Sequence, residues 1–153
     1  MLCGEVFKFE HESKDVKVNS PFSSSANIDG NIYIHTLKCC IVNPPQNNKL
    51  QVDAEFLVRE DLTISEGSDL KIPLEYLFRI NERFTFNKCE LHNIHCFNSL
   101  KCEVVCICGE NDMHLNSDNH TITQKLKICL KIKIFKDNKI ILDLQCPKFP
   151  SCT

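Results

Sequence analysis

The chain has 153 residues, 42% of them hydrophobic, and a formal net charge of −2, the size and balance of one domain with its own core. That charge leaves no electrostatic footprint for nucleic acid or an anionic membrane surface as a partner. No apolar run approaches the roughly 18 residues of a spanning helix, and four glycines exclude collagen-like and glycine-linker classes.

Residues 1–30 read as an extended N-terminal arm. Its opening, Met1-Leu2-Cys3-Gly4-Glu5-Val6-Phe7-Lys8, has neither a basic n-region nor an apolar h-region, so no secretory signal peptide is expected. Val6, Lys8 and Glu10 alternate with Phe7 and Phe9, the pattern of a short strand. The Ser-rich, Pro-containing run from Ser20 to Asn27 reads as a connector.

From residue 31 to residue 146 strand follows strand. Ile32–Val42 is β-rich and stops at Asn43-Pro44-Pro45, where proline cannot continue a ladder. Leu50–Arg59 sets Val52, Ala54, Phe56 and Val58 inward against Gln51, Asp53, Glu55 and Arg59. Ile72–Ile80 fits a strand or a short helical turn, and Arg83–Lys88 and Leu91–Phe97 fit short strands. Leu100–Cys108 places Leu100, Cys102, Val104, Cys106 and Cys108 on one face. The clearest alternation is Lys125–Phe135, with Leu126, Ile128, Leu130, Ile132 and Ile134 opposite Lys125, Lys127, Cys129, Lys131 and Lys133. Asp137-Asn138 then fits a two-residue hairpin turn into Lys139–Cys146, and residues 147–153 form a C-terminal tail. Short strands at this spacing predict an all-β fold, a β-sandwich or open barrel.

The eleven cysteines are the strongest chemical signal. Such density belongs to oxidised extracellular domains, yet no export signal accompanies it, and an odd count leaves at least one thiol without a partner in its own chain. Cys102 and Cys106 fall on the apolar face of their strand, where a free cysteine behaves as a small hydrophobe. Cys129 interrupts a row of lysines on a polar face, where an exposed thiol among cations is reactive. Cys3 and Cys152 lie near the chain ends, where termini are accessible. Cys3, Cys129, Cys146 and Cys152 are therefore the candidates for disulfides between subunits.

Cys89, His92, His95 and Cys96 are thiolate and imidazole donors of the kind zinc takes. Alternation along a strand would split them between two faces, so zinc is the alternative reading. No phosphate loop, G-x-S-x-G or H-E-x-x-H motif occurs. An enzyme is not expected, and neither is a cofactor.

The run Leu70-Lys71-Ile72-Pro73-Leu74, followed by Glu90-Leu91-His92-Asn93-Ile94-His95-Cys96-Phe97-Asn98-Ser99-Leu100-Lys101-Cys102-Glu103-Val104-Val105, resembles the SPOCS domain of spore-forming Firmicutes. That family shows an I-P strand and then a strand pair with the pattern x-V-x-x-x-x-x-x-N-S-x-K-x-x-V-x-V. The resemblance spans roughly residues 30–135 and implies a β-sandwich that works in spore-coat or appendage assembly. The cysteine content departs from the pattern. Spore-coat proteins are made in a mother-cell cytosol and released by lysis, so oxidation at a spore surface would need no signal peptide.

These readings combine into one expectation: a self-assembling structural protein of a spore surface, coat or appendage fibre. Val6, Phe7 and Phe9 of the arm would add a strand to a neighbour's sheet edge, and terminal thiols would lock the contact. Its partner is a further copy of itself, with other spore-coat proteins beyond that; neither nucleic acid nor a membrane is expected. The alternative is a cytosolic thiol-rich β-domain holding zinc or a protein partner.

Overall fold

A strand rises about 3.3 Å per residue and turns successive side chains to opposite faces, so a long alternating run fixes which residues meet the core. In the computed structural model, which describes residues 2–45, 48–68, 70–89 and 99–136, such runs form six strands. They are β1 (Cys3–Lys17), β2 (Asn27–Ile41), β3 (Gln51–Glu66), β4 (Leu70–Thr85), β5 (Leu100–Asn116) and β6 (Thr121–Lys136). Strands take up 78% of the described residues, with no helix among them. Two antiparallel sheets, ordered β1-β6-β5 and β2-β3-β4, pack face to face as an open sandwich and do not close into a barrel.

The central strands β3 and β6 carry the core. Val52, Ala54, Phe56 and Val58 point from β3 into the space between the sheets, and Leu126, Ile128, Leu130, Ile132 and Ile134 meet them from β6. This is the alternation written in both segments. Burying a side chain the size of Phe56 stabilises by about 1.5–3 kcal/mol, and an aromatic group adds geometry to that. Phe7 lies 5.0 Å from both Phe84 and Phe86, and Phe9 packs on Phe84 at 5.5 Å and on Phe56 at 6.0 Å.

Residues 2–30 are not a free arm. β1 pairs in register with β6, Phe7 opposite Leu130 and Phe9 opposite Ile128, because its aromatic face completes the core of its own chain. The Ser-rich connector is anchored too: Val18 and Phe22 are buried, and Phe22 meets the His120 ring edge-on at 5.6 Å. β2 then begins at Asn27, inside the stretch read as arm. Ile72–Ile80 is strand, and Arg83 belongs to the same β4. Pro73 is accommodated there because β4 is an edge strand. The expected strand Leu91–Phe97, the turn at Asp137-Asn138, the strand Lys139–Cys146 and the tail lie outside the described residues.

β5 departs from simple alternation. A bulge between Val105 and Cys108 shifts the phase by one residue, as an unpaired extra residue must. Cys102 keeps its inward, half-buried place, but Cys106 and Cys108 are exposed. The core role expected for Cys106, and the inward face expected for Cys108, are corrected by that bulge.

Candidate functional site

One end of the sandwich gathers cysteines from four elements. Cys3 opens β1, Cys39 and Cys40 close β2, Cys89 follows β4 and Cys102 lies near the start of β5. Antiparallel pairing brings these termini together: Cys3 and Cys102 both lie opposite Ile134, and Cys39 lies opposite Ala54. Ile134 and Ala54 are buried, so Cys3, Cys102 and Cys39 share the inner faces. Cys3 is bonded to Cys89 with a Cα–Cα distance of 5.8 Å across 86 residues of sequence. That bond ties sheet β1-β6-β5 to the end of β4.

Cys3 is thus engaged within its own chain, which corrects its assignment as a link between subunits. Cys89 is corrected as a metal ligand for the same reason, since a disulfide sulfur is not a thiolate. His92, His95, Cys96, Cys146 and Cys152 lie outside the described residues. Among the described residues no group of three or more His, Cys, Asp or Glu side chains could hold a metal ion.

Cys40 is disulfide-bonded as well. Cys39 and Cys102 are reduced and half-buried against the core. The Cys39 thiol hydrogen-bonded to it, and then burial, push the Cys102 thiol far above the usual range. It is held neutral and protected.

A second pair of thiols sits on the outer face of the sheet β1-β6-β5. Cys129 lies between Lys8 on β1 and Cys108 on β5, all three in register. Its neighbours Ile128 and Leu130 face inward, so Cys129 faces out, as its place among the lysines predicted. A groove of about 570 Å³ over this row is lined by Lys8, Glu10, Cys108, Glu110, Lys127 and Cys129. Cys108 was not singled out from sequence. The signal was present: Met113 and Leu115 resume the apolar pattern on odd positions, opposite in phase to Leu100, Cys102 and Val104.

The opposite outer face, on β2-β3-β4, is a charged surface with apolar breaks. Arg83 forms a two-pronged pair with Asp53 at 2.6 and 2.9 Å, and Arg79 reaches Glu55 at 3.2 Å. Exposed pairs of this kind contribute little to stability. Tyr33, Arg59 and Leu77 form one cross-strand row, with the Arg59 guanidinium 4.4 Å from the Tyr33 ring centroid. Leu77 is 64% exposed.

Between the two apolar clusters lies a buried polar layer that the sequence reading did not single out. Glu60, between Val58 and Leu62 on β3, is fully buried, and neither carboxyl oxygen has a hydrogen-bond partner. Burial raises its pKa, with the nearby Gln124 side chain pulling the other way. Gln124 is itself buried and accepts a 2.7 Å hydrogen bond from the Asn111 amide. Tyr76, opposite Glu60 on β4, is raised by burial and then by the Glu60 charge. Continuing the alternation of Val52–Val58 by one step points to Glu60.

On the side where β1 and β4 approach, the sheets are joined through side chains. Phe7, Phe9 and His11 contact Phe84, Phe86 and Phe78, and the Asn87 amide donates to Glu5 at 2.9 Å. Among the described residues β1 pairs only with β6 and β4 only with β3, so each is an edge strand of its sheet. No helix of the described residues is long and apolar enough to cross a membrane. Comparison with protein-family models, with curated proteins and with solved structures returns no match to this chain.

Proposed function

We propose that this domain is a structural subunit that assembles with further copies of itself along its sheet edges and is hardened by disulfides. The observation that carries this reading is the length of the edge strands, with β1 and β4, of 15 and 16 residues, meeting on one side of the sandwich. Strands of ordinary domains run to about 3–10 residues, and an edge of this length offers a long row of backbone donors and acceptors to another chain. Charges of both signs, Lys8, Glu10 and Glu12 on β1 and Lys71, Glu75, Arg79 and Arg83 on β4, make such pairing sensitive to register. That favours an ordered contact over indiscriminate aggregation. A β1 edge meeting a β4 edge is heterologous and need not close into a ring, so it can extend into a fibre.

The contact differs from strand donation by a loose arm, because β1 is already part of its own sheet. Of the candidates from sequence, Cys129 lies on the outer face and is reduced; Cys146 and Cys152 stand as the others. The spore-surface setting, with other coat proteins as partners, belongs to the same proposal on the SPOCS-like residues alone.

Oxidised full-length protein should form ordered multimers by sedimentation and electron microscopy. Val6→Lys combined with Leu77→Lys should leave it monomeric, since both positions are exposed and flank the edges. Wild-type protein that stays monomeric at every concentration under oxidising conditions refutes the reading.

A further inference from the structure

Residues directly opposite on antiparallel strands have Cα atoms about 4.5–5.5 Å apart, and a disulfide spans about 4.4–6.8 Å between Cα atoms. Cys108 and Cys129 are such a pair, both reduced and both on the outer face. Their register pairing puts their Cα separation in the range a disulfide spans. The bulge at Val105/Cys108 creates this arrangement, since an unbroken β5 would have turned Cys108 inward with Cys102.

The other described cysteines are differently placed. Cys3, Cys89 and Cys40 are already bonded, and Cys39 and Cys102 are packed against the core at the far end. Cys106 is exposed but sits on the bulge at φ +54°, outside the paired rows.

We propose that Cys108 and Cys129 form a surface redox dithiol that exchanges with low-molecular-weight disulfides. Cys108, the more exposed of the two, attacks one sulfur of the external disulfide as a thiolate. A mixed disulfide forms on Cys108 and one small thiolate leaves. Cys129 then attacks the Cys108 sulfur, closing the cross-strand bond and releasing the second small thiolate. The two protein thiols lose two protons and two electrons, and one external disulfide becomes two thiols.

The groove suits such a reactant. Its volume of about 570 Å³ lies within the usual range for small-molecule sites, about 300–1,000 Å³. Lys127 is flanked in register by Glu10 and Glu110, whereas Lys8 stands in the cysteine row itself. Lys8 is therefore the cation placed to hold a carboxylate of an anionic disulfide such as oxidised glutathione. This site works in a single copy of the chain and does not depend on self-assembly.

The test incubates full-length protein in glutathione buffers of graded oxidised-to-reduced ratio, traps free thiols by alkylation, and maps peptides by mass spectrometry. The expected result is a joined Cys108–Cys129 peptide pair whose fraction follows the ratio reversibly. Cys129→Ser should instead accumulate glutathione on Cys108, and Cys106→Ser should leave the joined fraction unchanged. If Cys108 and Cys129 remain separately alkylated at every ratio, or if Cys108 joins Cys106 in place of Cys129, the proposal falls. Mapping of the wild-type protein decides the matter even if a variant fails to fold.

Discussion

Glu60 places a carboxyl group in the buried layer between the two apolar clusters, where neither of its oxygens has a hydrogen-bond partner. An unpartnered polar group that deep stays neutral as far as pH permits. Its folded pKa is raised above the ordinary 4.5, so the native state holds this proton more tightly than the unfolded chain does. The associated stability is present in full below the unfolded pKa and is lost as pH rises through the folded one. Glu60→Gln removes the ionisation and keeps the shape. At about pH 8 it should be more stable than wild type by about 1–3 kcal/mol, with the difference shrinking toward zero near pH 4, read by urea denaturation at both. Cys106 makes the opposite point, because its left-handed backbone at φ +54° is disfavoured for any side chain. Cys106→Gly should stabilise by about 0.5–1 kcal/mol, and Cys106→Ser should stay within about 0.5 kcal/mol of wild type. The buried place of Glu60 was legible, since it continues a clean alternation. The outward turn of Cys106 was not, because an inserted residue leaves composition unchanged and appears only as a phase slip between Val104 and Met113.

The strands themselves were readable wherever polar and apolar residues alternate without interruption, as on β3 and β6. What the residues of β1 could not disclose was their partner. Phe7 and Phe9 require an apolar surface, and the same pattern serves a neighbour's sheet or the chain's own; the facing Phe84 and Phe86 decide it. Ile72–Ile80, which fits a strand or a short helical turn, and the start of the expected short strand at Arg83 merge into one long β4, because pairing partners, rather than local propensity, set its length. Close approach between such strands fixes two glycines unequally. A Cβ on Gly30 of β2 would meet the Asp61 carbonyl oxygen and the Leu62 Cα, the latter at 2.8 Å, and backbone cannot yield there. On Gly109 of β5 it would meet the tip of the Ile34 side chain at 2.6 Å, which can rotate aside. Gly30→Ala should therefore cost about 1–3 kcal/mol and Gly109→Ala distinctly less, measured by thermal or urea unfolding.

For the molecule as a whole, the cysteine count raised disulfides as one reading among several and said nothing of where they lie. Terminal position suggested that Cys3 reaches outward; antiparallel topology instead brings it beside Cys89, and no local feature of either segment encodes that meeting. Because β1 carries core aromatics, deleting residues 1–18 should unfold the domain, visible as loss of its far-UV β signal. Cys3→Ser should leave the fold intact but less stable by about 2–4 kcal/mol, since the Cys3–Cys89 bond constrains a long unfolded loop. Denaturant midpoints of the wild-type and variant proteins would show it. The same closure has a consequence for proteolysis. A protease that nicks the exposed serines of the connector between β1 and β2 would cut inside the loop bounded by Cys3 and Cys89. The severed strand would remain covalently attached, still seated in its sheet, and the break would show only when the sample is reduced before it is sized.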